Sequence, residues 1–229
     1  CRRLGKWLSL DPKPVHHLDL RGLSLITPNR KEAFELAGIE DSDRCPNPLQ
    51  DRPLLKAVER IHAQLAPAGV KVPNGFALTA AAYREALSEA GAWPKLHALL
   101  DTLGKDDVKL LAERAKAARD IVYAATGTEK LRAAVAVAYA GLEAEYGAGV
   151  AVAVRSSATA EDLPNASFAG QHESFLNVRG ADAVFEACRR CFASIFTDRA
   201  IVYRLDNGFD HFKVYLSVGV MKKIGRAHV

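Results

Sequence analysis

The hydrophobic period of this chain changes at Gly147, and this change restricts the fold more than any other feature of the sequence. Before Gly147, apolar residues recur every three or four positions in alanine-rich stretches, as they do along amphipathic helices. After it, residues 150–154 alternate valine with alanine, which is the period of a β-strand. Helices followed by a mixture of strands and helices are typical of an α+β domain, so the sequence predicts that class.

Caps and breakers mark the limits of the individual elements. Thr79, Asp106 and Thr128 each precede a helical pattern and are predicted to cap the first turn. The predicted helices are 30–37, 54–66, 80–90, 107–126, 129–146 and 182–196. The predicted strands are 71–79, 150–154, 174–178 and 213–221.

The first 62 residues differ from the rest in composition and in hydrophobic pattern. Six of the ten prolines fall within the first 53 residues, and only the short pattern at 30–37 has a helical period there. We therefore predict little packed structure over those 53 residues. Residues 1–62 are interpreted as a Pro-rich, unassigned segment that is non-native or poorly ordered, and residues 223–229 as an unassigned tail.

Composition and charge exclude several classes of protein. No apolar run reaches the roughly 18 residues of a membrane-spanning helix, and the first residues lack the apolar core of a secretory signal. The formal charge of +4 is spread along the chain without a basic block, so neither a membrane nor nucleic acid is an expected partner. A cytoplasmic location is predicted, and the sequence carries no signal for an oligomeric state.

Two cysteines, Cys188 and Cys191, form a CxxC whose spacing fits half a zinc site or a redox pair. No second pair follows, and the apolar residues around them repeat at three and four positions. The pattern favours two thiols on the buried face of a helix.

The polar stretch from Arg155 to Ser174 carries the candidate chemistry. Arg155 follows an apolar strand, which fixes its backbone while its guanidinium offers five donors to phosphate or carboxylate oxygens. Gly170 lets bare backbone approach a ligand, and Ser174 adds a hydroxyl at the entrance to the next strand. The stretch therefore predicts an anion site. The alternative is a solvated turn in which Arg155 pairs with Glu161 or Asp162.

Three runs of the sequence resemble one family of enzymes. They are VAVRSSATAEDLPNASFAGQHESFLNV at 152–178, GVKVPNGFALTAAAYREAL at 69–87 and DHFKVYLSVGVM at 210–221. Together they resemble the amino-terminal nucleotide-binding domain of the phosphoenolpyruvate synthase group, which includes pyruvate phosphate dikinase and the rifamycin phosphotransferases. The resemblance covers about residues 63–222.

The resemblance implies an ATP-grasp-like domain that binds Mg-ATP and passes a phosphoryl group to a histidine on a mobile domain. That histidine would carry the group to pyruvate, and ATP, pyruvate and water would become AMP, phosphoenolpyruvate and phosphate, a reaction of gluconeogenesis. By position, Arg155 would bind the ATP phosphates and act in catalysis, while Gly170 and Ser174 would lie in the loop over the nucleotide. These roles suit phosphoryl transfer, which depends on positioning and charge stabilisation.

The chain departs from the family pattern at both ends. An ungapped count places the phosphate-binding lysine of the family at Leu54, and Lys56 is turned about 200° away from that position on a helix. The family's Mg²⁺ carboxylates, phosphohistidine segment and pyruvate-binding barrel have no counterpart here. We therefore expect an incomplete domain with exposed apolar surface. The alternatives are a rifamycin phosphotransferase-like ATP-binding domain and a noncatalytic nucleotide-binding fragment.

Overall fold

The computed structural model describes residues 9–10, 25–26, 30–42, 51–65, 74–104, 107–158, 162–163, 166–167 and 173–222. The chain divides into two units, residues 1–72 and 73–229. Helices and antiparallel strands are both present, which confirms the α+β prediction. Within these described ranges, no helix is long and apolar enough to cross a membrane.

The first unit contains a small apolar core between two helices. Its elements are β1 (Ser9–Leu10), β2 (Leu25–Ile26), α1 (Arg30–Ala37) and α2 (Arg52–Leu65). The strands β1 and β2 pair in parallel, and α1 packs against α2. The core consists of Ala33, Phe34, Ala37, Ala57, Ile61 and Leu65. The prediction of little packed structure is therefore wrong for α1, because α2 covers its apolar side.

The second unit is built on a four-stranded antiparallel sheet with the strand order β3–β8–β4–β7. The strands of this unit are β3 (Gly75–Leu78), β4 (Val152–Ala158), β5 (Asp162–Leu163), β6 (Ala166–Ser167), β7 (Ser174–Val178) and β8 (Leu216–Lys222). The short strands β5 and β6 pair with each other, within a region predicted to be a loop. The helices are α3 (Ala80–Glu89), α4 (Trp93–Leu100), α5 (Val108–Ala125), α6 (Glu129–Tyr146), α7 (Ala181–Ala193) and α8 (Asp198–Asp206), with a 3₁₀ turn at Ser194–Phe196.

The helix α7 connects the sheet with the alanine-rich helices. It packs against β4, β7 and β8, and α5 and α6 pack against it. Cys188 and Cys191 of α7 are fully buried, as predicted, and burial raises the pKa of both thiols. Their Sγ atoms therefore remain protonated at neutral pH and serve as small apolar groups in the core.

The predicted caps are confirmed at two of three positions. The hydroxyl oxygens of Thr79 and Thr128 accept the first-turn N–H groups of α3 and α6. The cap of α5 is Asp107, whose Oδ1 accepts the N–H of Leu110 at 2.9 Å, and the prediction of Asp106 is wrong by one position. The error arises because adjacent aspartates present the same capping signal in sequence.

Tyr139 of α6 forms hydrogen bonds with the residues that precede β4 and α7. Its hydroxyl donates to the carbonyl oxygen of Val150 at 2.8 Å and accepts the N–H of Gly180 at 2.9 Å. Val150 precedes β4 and Gly180 precedes α7, so one buried hydroxyl fixes where both elements begin. This contact supports the strand that carries the candidate site.

A hydrogen-bonded pair of an arginine and a histidine is enclosed in the second unit. Arg204 of α8 is fully buried and donates from Nε to Nδ1 of His211 at 2.9 Å. Its Nη1 and Nη2 atoms have no hydrogen-bond partner among the described residues, and the guanidinium carbon lies 5.4 Å from the ring centre of Phe196. Burial, with the Arg204 charge as the second cause, lowers the pKa of His211 to about 4. At neutral pH the imidazole is therefore uncharged and accepts this hydrogen bond.

Candidate functional site

Arg155 and Ser174 lie opposite each other on adjacent strands. They are register partners between β4 and β7, and Arg155 is also the register partner of Gly219 on β8. Directly opposed residues of antiparallel strands project from the same face of a sheet. The exposed guanidinium of Arg155 and the exposed hydroxyl of Ser174 therefore share one face.

The location of Arg155 corrects one expectation. The sequence predicted a strand ending at Val154 with Arg155 just beyond it, whereas β4 continues to Ala158. The polar residues after Val154 remain in the strand because β8 pairs with them as far as Ala158. Arg155 consequently projects from the middle of a strand held on both sides, which fixes its backbone more firmly than a strand end would.

The sheet has two unlike faces. We call the side that packs on α7 the closed face, formed by Val152, Val154, Leu216, Val218 and Val220, all of them buried. We call the other side the open face, formed by Ala77, Ala153, Arg155, Ser174, Leu176, Gly219 and Met221. Leu176 is 55% and Met221 38% exposed on the open face. Two apolar side chains are therefore exposed on this face, and the larger apolar surface that the sequence analysis expected stays a prediction.

The guanidinium of Arg155 is available to a ligand. It makes no ion pair or hydrogen bond with any residue that the structure describes. The alternative pairing with Glu161 or Asp162 concerns side chains outside the described part of the chain. Beside the Ser174 hydroxyl, this unpaired fork is suited to the oxygens of phosphate or carboxylate.

Two serines, Ser156 and Ser194, hold the backbone next to Ser174. The N–H of Glu173 donates to Oγ of Ser194 at 3.4 Å, and its carbonyl oxygen accepts from Oγ of Ser156 at 3.5 Å. Ser194 is buried and also donates to the carbonyl oxygen of Cys191 at 2.7 Å. The start of β7 is thus attached both to β4 and to the end of α7. A serine at the end of an apolar helix gives no sequence signal for this contact.

Three further positions from the sequence analysis bear on the candidate site. Gly170 lies outside the described residues, so its role in covering a ligand stays a prediction. Lys56 is exposed on α2 in the first unit, and Leu54 packs at the edge of that unit's core. The assignment of the family's lysine position to Leu54 stays a prediction, because the family match begins at residue 56.

No group of three histidine, cysteine, aspartate or glutamate side chains suited to a metal occurs within the described ranges. The donor set beside Arg155 consists of hydroxyl groups, whereas Mg²⁺ prefers carboxylate oxygens. The described residues therefore do not fit a magnesium site on their own.

A second concave surface, a cleft of about 380 Å³, lies beside α5 and α7. Within it, the Tyr123 hydroxyl donates to Oε2 of Glu186 at 2.6 Å, and Nε of Arg190 donates to Oε1 at 2.9 Å. The Tyr123 hydrogen bond, helped by the Arg190 charge, lowers the pKa of Glu186. These charged groups are paired with one another, in contrast to Arg155, which makes the open face the stronger candidate.

Comparison with known families shows that most of the chain matches one family of nucleotide-binding domains. Residues 56–228 match the family model described as "Pyruvate phosphate dikinase, AMP/ATP-binding domain". The match begins inside the segment that the sequence analysis left unassigned, and it includes both Arg155 and Ser174.

Curated relatives give the same result. A phosphoenolpyruvate synthase of Synechocystis sp. is 52% identical over 166 residues, which cover 70% of this chain and 20% of that protein. The phosphoenolpyruvate synthase of Pseudomonas aeruginosa is 51% identical over 162 residues (71% and 20%), and that of Escherichia coli 47% identical over 156 residues (68% and 20%). The chain therefore spans about a fifth of the length of the curated relatives it matches. The predicted resemblance is confirmed.

Proposed function

This chain belongs to the pyruvate phosphate dikinase AMP/ATP-binding domain family, and from that premise we propose that Arg155 and Ser174, on its open face, form part of one lobe of an ATP-grasp-like nucleotide site. The observation that carries the proposal is the pairing of Arg155 with Ser174 on adjacent strands. An exposed arginine beside a hydroxyl, on a rigid strand, is the arrangement that a polyphosphate requires.

In this proposal Arg155 acts through charge and geometry. Its planar fork donates two hydrogen bonds to phosphate oxygens and offsets the negative charge that gathers on them during transfer. Ser174 donates its hydroxyl to the same phosphate chain, and Gly170 brings backbone N–H groups over the nucleotide. Mg²⁺ bound to the nucleotide would add charge neutralisation, with ligands supplied from outside the described residues.

We further propose that the whole protein to which this chain corresponds is a phosphoenolpyruvate synthase of the cytoplasm. Its reaction would convert ATP, pyruvate and water into AMP, phosphoenolpyruvate and phosphate by way of a phosphohistidine. The names of the relatives support this reaction over the rifamycin phosphotransferase alternative. The histidine carrier and the pyruvate site would lie in parts of the relatives that this chain does not match.

Calorimetric titration of Mg-ATP into the 229-residue chain tests the proposal at two salt concentrations. We expect binding that weakens as salt rises, because the contact is between charges. Arg155→Ala should weaken binding by about 10- to 100-fold, the value of one or two charge-assisted hydrogen bonds.

Lys116→Ala is the matched control, because it removes an exposed positive charge from α5, on the far side of α7 from the sheet. This variant should bind Mg-ATP as the unmodified chain does. Absence of binding by the unmodified chain, or equal binding by Arg155→Ala, would overturn the proposal.

A further inference from the structure

Gly219 occupies a particular place on the open face. One row of register partners crosses the sheet from Ala77 through Gly219 and Arg155 to Ser174. Opposed Cβ atoms in antiparallel strands are about 4.5–5.5 Å apart, so a side chain at residue 219 would stand directly against Arg155. Glycine places no side chain of β8 beside the guanidinium at this point of the row.

The backbone of this strand does not need glycine at residue 219. Gly219 lacks the positive φ that disfavours other residues, and among the atoms of the described residues a Cβ built there would meet only the carbonyl oxygen of Arg155, at 3.9 Å. This is an ordinary contact distance. Gly75 on β3 is a contrasting case, because a Cβ there would lie 2.3 Å from the carbonyl oxygen of Val220.

Glycine in the interior of a strand also weakens the strand, since it has no side chain to pack and loses more conformational freedom on folding. A β-branched residue at position 219 would suit β8 better than glycine does. The described part of the fold therefore gives no reason for a glycine at this position, whereas a ligand that approaches the β8 backbone does.

We propose that Gly219 belongs to the nucleotide site and that its missing side chain is required for Mg-ATP to bind beside Arg155. Its missing side chain leaves room for the Arg155 guanidinium to lie along β8 and for a polyphosphate chain to reach it against the sheet. The inference rests on the nucleotide site proposed above and adds the direction from which the phosphates approach, namely over β8 and not only over β7.

The test compares Gly219→Val with the unmodified chain in thermal unfolding and in calorimetric titration with Mg-ATP. The melting temperature should stay the same or rise, because valine is favoured in strands and its Cβ would meet no described atom closer than 3.9 Å. The affinity for Mg-ATP should fall about tenfold or more, as expected when a charged hydrogen bond is lost. Gly219→Ala, which adds one methyl group, should show a smaller loss.

Ala153→Val is the matched control, because it enlarges a residue on the same face, opposite Met221 and about 7 Å along β4 from Arg155. It should bind Mg-ATP within about twofold of the unmodified chain, a difference of less than one charged hydrogen bond.

Each outcome decides the inference. Equal binding by Gly219→Val and the unmodified chain would overturn it and leave the proposed nucleotide site intact. Equal losses of Mg-ATP affinity in Gly219→Val and Ala153→Val would also overturn it, because any larger side chain on the open face would then weaken binding. Unfolding of both Gly219→Val and Gly219→Ala would also overturn the inference, because the strand itself would then require glycine. A lack of Mg-ATP binding by the unmodified chain would overturn the nucleotide site and this inference together.

Discussion

On β4, the side chains of Val152 and Val154 are fully buried against α7, while that of Arg155 is exposed on the opposite side of the same strand. Burial explains the residues of the closed face, whereas the proposed ligand explains Arg155 and Ser174 on the open face. The two are nevertheless coupled, since a one-residue slip of β4 would exchange them. The buried valines fix the register, and that register places Arg155 between Ser174 and Gly219. Core packing on one face thus positions the candidate chemistry on the other.

The largest expected effect is a loss of stability caused by a charged substitution on the closed face. Val154→Asp would bury a carboxylate among apolar side chains, and we expect it to cost about 4 kcal/mol or more of the free energy of unfolding. Urea denaturation followed by circular dichroism measures this loss. Ala153→Asp, on the open face of the same strand, should cost less than about 1 kcal/mol. Similar losses for the two variants would show that the faces are not as unlike as described.

A second prediction concerns the pH dependence of the free energy of unfolding, to which the buried pair Arg204–His211 should contribute. Because the pKa of folded His211 is about 4 and the ordinary value is 6.5, the unfolded chain binds a proton first as the pH falls. Stability from this residue is therefore complete above pH 6.5 and is lost progressively as pH falls to about 4, by about 3 kcal/mol in all. Urea midpoints between pH 7 and pH 4 follow the loss.

The control for this prediction is His211→Gln, whose amide oxygen can accept the Nε–H of Arg204 without titrating. That variant should lose about 3 kcal/mol less than the unmodified chain between pH 7 and pH 4. An identical pH dependence in both proteins would assign the acid sensitivity to other groups.

The smallest expected effect concerns the open face itself. Leu176→Ser removes an apolar side chain that is 55% exposed, so the free energy of unfolding should change by less than about 0.5 kcal/mol. Leu176 contributes to an exposed apolar surface, and its replacement should instead reduce concentration-dependent association in sedimentation. A loss of stability as large as that of a core substitution would mean that Leu176 is covered in solution.

Sequence alone predicted the elements whose signals are local. The helices at 80–90 and 129–146 and the strand at 174–178 agree closely with α3, α6 and β7, because caps and periodicity lie within each segment. The short helix α4 was missed because Pro94 reads as a breaker, although proline is well tolerated in the first turn of a helix. Likewise α8 was missed because its cap, Thr197, follows directly on the apolar pattern of the preceding helix.

Contacts between distant segments were beyond the reach of the sequence pattern. Arg155 and Ser174 were identified from a polar stretch and a family resemblance, but their side-by-side placement follows from the register of β4 and β7. The role of Gly219 depends on a strand far along the chain from Arg155. Arg204 reads as a surface residue of a helix, and only the packing of Phe196 and His211 around it explains its burial.

The position of β8 in the sheet has a consequence for how the polypeptide is made. This strand is the last of the four in the sequence, yet it lies between β3 and β4. A chain emerging from the ribosome therefore holds β3 without any neighbour, and β4 with one free edge, until residues 216–222 have been translated. The helices α5, α6 and α7 are complete before that moment, and the sheet closes on them afterwards. Throughout synthesis, the strand edges that later form the centre of the sheet are exposed to other chains, which is the condition in which a chaperone gives most protection.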